Sequence, residues 1–438
     1  MTSTSKHLKA WVVSADMGYG HQRAVFPLKD IAEEGLITAG KNDNSTDKEK
    51  KQWQRLLNVY ESFSRARGIP IIGKPLFAML DALLHIPSFY PIRNLSRSTY
   101  QVDLLEKNIE NGLCTGILQK IATKPLPLIT SFYAPAIAAD MHGYEPIYCI
   151  VCDADINRVW VAKQPWESRI TYFAPCGKAA QRLKSYGVPE ERIFLTGFPL
   201  PLDLLGKNLS VLKRNLGQRL HYLDPKNRFW TRHGKSVEYF LGKKHCTFKN
   251  NRKLTITYAV GGAGAQREIG GRIAHSLRHH LRGNEVRLNL VAGIKPDVRE
   301  YFEHVASELK TDNINVIYAE TLHDYFQQFN NAMHTTDILW TKPSELSFYT
   351  GLGIPIIMTP TIGAQERFNR QWLFEIHAGM KQENSDYTDQ WLYDLLDNGT
   401  LADMAWSGFL KARKLGTLKI LEVLTTGTMT HSHSPLER

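Results

Sequence analysis

Gly18, Gly20 and His21 stand in the stretch SADMGYGHQRAV, directly after the apolar run LKAWVV. Glycines at that spacing let a chain leave a strand close to a ligand, and a histidine opening the next helix can take a proton or bind a phosphate or hydroxyl. A second cluster, VGGAGAQ, follows the apolar run LTITYA and precedes a helix-like stretch. Gly261, Gly262, Gly264 and Gln266 there suit a tight turn whose following helix N-terminus directs N–H groups at an anion such as a diphosphate. The dinucleotide fingerprint would need a third glycine where Arg267 stands, and a phosphate-loop lysine is absent.

The third group lies in TKPSELSFYTGLGIPIIMTPTIGAQERFN. A helix is expected to begin near Ser344, with Glu345 in its first turn, suited to vicinal hydroxyls or to the helix dipole. Lys342 stands just before it. After the strand-like IPIIM, Gln365, Glu366 and Asn369 fall within one turn of helix, an amide and carboxylate cluster suited to a hydroxyl-rich ligand. Asp153 opens the D-x-D of CDADINRVW, a pattern that elsewhere holds a divalent metal. It follows a strand of the first half, away from the glycine cluster of the second, so no metal and no cofactor is expected. Helix dipole, Lys342 and Arg267 would neutralise a diphosphate instead.

These loops need a scaffold. Strand-like runs alternate with helix-like ones in both halves of the 438 residues, the pattern of parallel sheets with helices on both faces. A length prior of roughly 150 residues per domain points to two domains. The boundaries expected are 1–205, a basic linker or insertion at 206–253, 254–400, a C-terminal helix at 401–425 that packs back across both domains, and a loose tail at 426–438. Ligands of such sheets bind beyond the carboxyl ends of the strands, where all these loops lie.

Hydrophobic residues make up 43% and charged residues 22%, an ordinary globular mixture that excludes a disordered or fibrous chain. No apolar run approaches the roughly 18 residues of a membrane span. The five cysteines are odd in number and irregularly spaced, which argues against a secreted disulfide framework. Cys149 and Cys152 form a C-x-x-C on an apolar strand, where positions three apart face opposite sides, so they read as core residues rather than metal ligands. Charge is the unusual feature. Between Lys207 and Lys253 thirteen Lys or Arg face only Asp224 and Glu238, so this segment carries the whole net charge of +11 and favours a polyanionic partner. The apolar stretch 74–93, KPLFAMLDALLHIPSFYPIR, is either buried between domains or dips into a lipid interface.

In their order along the chain the loops resemble the GT-B glycosyltransferases, within them the branch of monogalactosyldiacylglycerol synthase, diacylglycerol glucosyltransferase and the peptidoglycan N-acetylglucosaminyltransferase. The matching residues are Gly18, Gly20 and His21; Asp153 with Trp160; Gly261 to Gln266; and Gly363, Gln365, Glu366 and Asn369. The family's ribose-binding glutamate falls on Phe348, and Glu345, one turn earlier on the same face, is the substitute. The resemblance implies two doubly wound Rossmann-like α/β domains facing a cleft, an N-terminal one for the acceptor and a C-terminal one for a nucleotide sugar. It also implies inversion at the anomeric carbon, with His21 or Asp153 as base.

The expected function is transfer of a sugar from a UDP-sugar to a lipid acceptor such as diacylglycerol, by a cytoplasmic protein peripherally bound to an anionic membrane surface, with no specific nucleic acid. Two alternatives stand beside it: a UDP-sugar epimerase of the same fold, and an inactive relative binding RNA or membrane. Phe229, Trp230, Tyr239 and Phe240, interleaved with cations, are what keep RNA open.

Overall fold

The computed structural model describes residues 8–41, 44–66, 85–247, 252–262, 264–361 and 364–438. Most of the apolar stretch 74–93, through residue 84, and Gly363 lie outside them.

Among the described residues twelve strands form two sheets of six. The first holds β1 (Ala10–Ser14), β2 (Ala32–Thr38), β3 (Leu128–Thr130), β4 (Ile147–Ile150), β5 (Ile170–Phe173) and β6 (Ile193–Phe194), in the order β2-β1-β3-β4-β5-β6. The second holds β7 (Leu254–Ala259), β8 (Val286–Gly293), β9 (Ile314–Tyr318), β10 (Ile338–Thr341), β11 (Ile356–Met358) and β12 (Gly379–Lys381), in the order β12-β11-β10-β7-β8-β9. Every pairing is parallel. Parallel strands are covered on both faces, so the central ones read as unbroken apolar runs, and β1 and β7 are buried at every residue. The edge strand β2, AEEGLIT, exposes Glu34 and Gly35 and is not visible as an apolar run; charge on an edge discourages pairing with another chain.

The strand orders decide where ligands can sit. In each sheet the direction of winding reverses once, between β1 and β3 in the first and between β7 and β10 in the second. Crevices open at such switch points. The loops that flank them follow β1, β3, β7 and β10, and these carry His21, Ser131, Gly262 and Lys342. Two doubly wound α/β domains are therefore present, as the GT-B architecture requires.

The helices that matter below are α1 (Tyr19–Val25), α2 (Gly177–Ser185), α3 (Ser210–Tyr222), α4 (Arg228–Leu241), α5 (Arg267–Ser276), α6 (Leu322–Met333), α7 (Ala364–Glu375), α8 (Thr400–Lys411) and α9 (Gly416–Thr426). The basic segment is not a bare linker: it folds as α3 and α4 on the second domain. Arg219 is buried and donates to the carbonyls of Thr336 (2.7 Å) and Leu352 (2.9 Å), and burial pulls its pKa down to about 10. Phe229 is buried, and Phe240 packs on Trp406 and Phe409 of α8, whereas Tyr239 is 82% exposed. Part of the aromatic set that had suggested base stacking thus forms core.

The stretch expected as one C-terminal helix is two, because Ala412 takes an extended backbone (φ −78°, ψ 145°) and ends α8. The turn lets α9 start against the crossover between domains, where Thr417 Oγ1 donates to the Leu200 carbonyl (2.5 Å). A Cβ on Gly416 would lie 2.2 Å from the Phe198 carbonyl oxygen. Backbone against backbone cannot relax by a rotamer change, so Gly416→Ala is expected to destabilise the protein by about 1–3 kcal/mol, read as a lower thermal midpoint.

Candidate active site

On the first domain β1 ends at Ser14, and the chain turns through Gly18, whose φ of 92° favours glycine, into α1. Because β3 lies next to β1, Ser131 comes to rest beside His21. His21 Nδ1 is 2.7 Å from the Ser131 carbonyl oxygen, and Ser131 Oγ donates back to the His21 carbonyl (2.6 Å). A carbonyl only accepts, so Nδ1 carries the proton and Nε2 of the neutral ring carries the lone pair. Burial lowers the His21 pKa, opposed by the Ser131 carbonyl and the charge of Glu345. The ring meets Phe132 edge-on at 4.9 Å and lies 6.1 Å from Trp160. It is held in the form that can accept a proton.

Asp153 follows β4. Its Oδ1 accepts from Asn369 Nδ2 of α7 (2.8 Å), while Asn369 Oδ1 accepts from the Ala154 N–H (2.8 Å). One fully buried amide of the second domain therefore grips the loop of the first. Enclosure pushes the Asp153 carboxyl up to about 6; the Asn369 hydrogen bond and Lys342 oppose the rise, and Glu345 and Glu366 add to it. Asp155, the other carboxylate of the D-x-D, is spent on a buried bidentate pair with Arg182 of α2 (2.7 and 2.9 Å). The two do not act as one metal clamp.

On the second domain the glycine loop is anchored at its end. Gln266, in the left-handed region (φ 69°), accepts from Thr359 Oγ1 (2.7 Å) and donates to the Pro360 carbonyl (2.9 Å), tying the loop after β7 to the loop after β11. Gly264 also has positive φ, and a Cβ on Gly261 would strike the Lys342 side chain at 2.4 Å, so the lysine stem lies across that glycine. Lys342 Nζ donates to Glu366 Oε1 (2.8 Å) in the first turn of α7, where Gln365 also sits. Ser344 precedes the expected helix, which is a 3₁₀ helix over Glu345–Leu352. Phe348 is core, stacked on Phe198 at 5.2 Å. Arg267 turns away to Asp297 (2.9 Å), so the basic group that faces the glycine loop is Lys342.

Glu345 pairs across the domains with Arg23 of α1, Nε to Oε1 at 3.2 Å, both nearly inaccessible to solvent. Arg23 Nη2 also donates to Tyr325 Oη (2.9 Å), and its guanidinium lies over Phe326 and Phe329 of α6 at 4.7 and 4.3 Å. Beside it, Tyr19 Oη accepts from the Ile294 N–H (3.2 Å). The glycines of the two domains meet here as well: a Cβ on Gly262 would stand 3.3 Å from the Tyr19 nitrogen and 3.4 Å from Gly18 Cα, and one on Gly20 would stand 3.2 Å from Glu345 Oε2. The loops named from sequence thus converge on one junction. Arg23, Tyr325 and Ser131 were not named; Ser131 could have been found as the first residue past a strand bordering β1, but nothing in the sequence marks Arg23 as facing another domain.

Residues 294–418 match the model of a family described as a domain of unknown function, DUF6938. No curated protein matches the sequence. Solved structures of similar fold include the UDP-GlcNAc 2-epimerase of Neisseria meningitidis bound to UDP-GlcNAc, at 14% identity and a TM-score of 0.47 over 95% of this chain and 99% of that one. MurG of Acinetobacter baumannii matches at 12% identity and a TM-score of 0.47, over 95% of this chain and 99% of its own. MnaA of S. aureus, in a co-structure with UDP, matches at 14% and 0.48 over 95% of both chains. At such distances the likeness assigns no activity to this chain.

The buried pair has a measurable weight. Glu345→Ala leaves the Arg23 guanidinium without its carboxylate and is expected to cost roughly 3–5 kcal/mol in denaturant unfolding. Replacing both partners with apolar residues should recover much of that loss.

Proposed function

We propose that this protein is a glycosyltransferase that moves a sugar from a UDP-sugar to a hydroxyl of a lipid acceptor such as diacylglycerol at an anionic membrane surface. The observation that carries the reading is the meeting of two switch-point crevices, one presenting His21 Nε2 and Asp153, the other a glycine loop with Lys342 and Glu366. The base removes the acceptor proton, the acceptor oxygen attacks the anomeric carbon, and the bond from that carbon to the diphosphate breaks. Lys342 exchanges Glu366 for the departing diphosphate, Glu366 turns to sugar hydroxyls, and N–H groups of the glycine loop share the charge. No metal takes part in this scheme. The uridine and the inverted stereochemistry rest on the family resemblance. Since a Cβ on Gly262 would stand only 3.4 Å from Gly18 Cα, the domains part to admit the donor and close to exclude water.

The lipid half rests on surface chemistry. A cavity of about 820 Å³ opens between α2 and α7, lined by Phe89, Tyr90 and Phe368 together with Lys178 and Arg367, so aromatic and cationic groups share one mouth. Tyr90, Ile92 and Tyr100 are exposed nearby in sequence, and α3, α4 and the turn between them expose Arg214, Lys226, Arg228, Arg232 and Lys235. Among the described residues no helix is long and apolar enough to cross a membrane. Apolar insertion and attraction to anionic lipid would act together.

Incubation with labelled nucleotide sugars and total lipid extract should move label into the organic phase. Label recovered only as a free, epimerised sugar nucleotide would replace this reading with the epimerase one. Binding to anionic vesicles should exceed binding to neutral ones and weaken with salt.

The base has its own signature. If Asp153 must be ionised, kcat/KM falls as pH drops through about 6. Asp153→Asn, whose amide oxygen still accepts from Asn369, should lose about 10²–10⁴-fold in rate and flatten that limb. The folded pKa lies above the unfolded 3.8, so this carboxylate costs stability as pH rises through about 6. The asparagine variant should therefore melt higher than wild type at pH 7.5 and equal to it near pH 3.5. His21→Ala should lose activity without that stability signature.

A further inference from the structure

Behind the cleft the chain passes between the domains twice, at 197–201 and at 412–416, and the two crossings touch. A Cβ on Gly197 would stand 2.7 Å from Arg413 Cβ, and Thr417 Oγ1 holds the Leu200 carbonyl. On the side of the second domain Lys414 packs at Gly351, whose Cβ would stand 3.4 Å from Lys414 Cβ. Residues 428–438 return over this turn. The Thr430 N–H donates to Glu422 Oε1 of α9 (2.7 Å), Arg438 Nη2 donates to the Leu410 carbonyl of α8 (2.5 Å), and the Lys414 N–H donates to the main-chain oxygen of Arg438 (3.1 Å).

Lys414 is the unusual group under this strap. It is fully buried, and its ammonium donates to the Pro435 carbonyl and lies over the Phe409 ring at 4.7 Å. Among the described residues no carboxylate pairs with it: Glu437, the one acidic side chain of the strap, accepts from Ser432 Oγ instead (2.7 Å). The charges that act on Lys414 are those of Arg438 on the strap and Arg413 on its own turn, and both repel a further cation; the 3₁₀ helix beside it presents only Gly351. Enclosure, with these two charges, pulls the Lys414 pKa down to about 7. An ammonium so poorly compensated sheds its proton or regains water.

We propose that residues 428–438 are a proton-controlled strap: with Lys414 neutral they dock and brace the two crossings against each other, and protonation of Lys414 releases them and frees the crossings to pivot. Release takes the Arg438 charge away and lets the ammonium reach water. A solvated lysine titrates near 10.5 and the docked one near 7, so docking expels a proton between those values and strengthens as pH rises through them. Below about 7 the lysine is charged whether docked or not, and the strap is at its weakest. The device does not depend on the glycosyl-transfer reading.

Hydrogen–deuterium exchange of the full chain tests it, read as protection factors so that the intrinsic pH dependence of exchange cancels. Protection of 428–438 should rise roughly five- to tenfold from pH 7.5 to pH 8.5, and protection of 197–200 should rise with it. Lys414→Met, apolar and of similar length, should hold both segments at a high, pH-independent value. A chain ending at Gly427 should leave 197–200 weakly protected at either pH; if that chain fails to fold, Lys414→Met still decides. Strap protection that is equal at the two pH values, or that rises as much in Lys414→Met as in wild type, overturns the proposal. A strap that responds while 197–200 do not overturns the brace.

Discussion

Where Gly262 meets Gly18 and Tyr19, neither backbone has room to spare, and everything proposed for the cleft depends on that approach. Parallel strands send all their carboxyl ends to one edge of a sheet, so each domain can offer only that edge to a shared ligand. Two such edges can face each other at short range only if the loops between them are thin. Glycine supplies the thinness at Gly20, which faces Glu345, and at Gly262, which faces the Gly18–Tyr19 turn. Around it Arg23 and Glu345, buried together, and Asn369, fully buried against the loop of Asp153, fix how the edges are aligned. Charges and amides of this kind add little net stability once their desolvation is counted. Their use is geometric, because they are satisfied in one arrangement of the two domains.

The same economy runs through the basic segment. Arg219 is taken inside on backbone carbonyls and the half-buried Arg252 pairs with Asp337 at 2.6 Å, and they fasten α3 and the entry to β7 onto the second sheet. The other cations of the segment that the structure describes lie wholly or partly at the surface. A strongly positive composition therefore serves two purposes here, internal fastening and surface potential, and only the second acts on a partner.

Asp153 stands against the general drift toward stability. A carboxyl held near pH 6 by enclosure and by Glu345 and Glu366 is strained electrostatically at neutral pH, and folding tolerates it. Groups of that sort collect where chemistry is done. Asp155, two residues on, shows the contrast: fully buried, it is neutralised by Arg182 and belongs to the core.

The sequence by itself determined the two sheets and the loops at their carboxyl edges, since buried parallel strands must be apolar throughout and phosphate-binding turns must be rich in glycine. It did not disclose β2 or β12, which lie on edges and need no apolar run, nor the break at Ala412 between α8 and α9. It marked His21, Asp153, Lys342, Glu366 and Asn369 by residue type and spacing. Only the tertiary structure decided that Ser131 orients His21, that Glu345 is paired with Arg23 and that Arg267 turns outward. These are contacts between segments up to 322 residues apart, and the energy of a buried charge depends on what surrounds it in space, which no local pattern encodes.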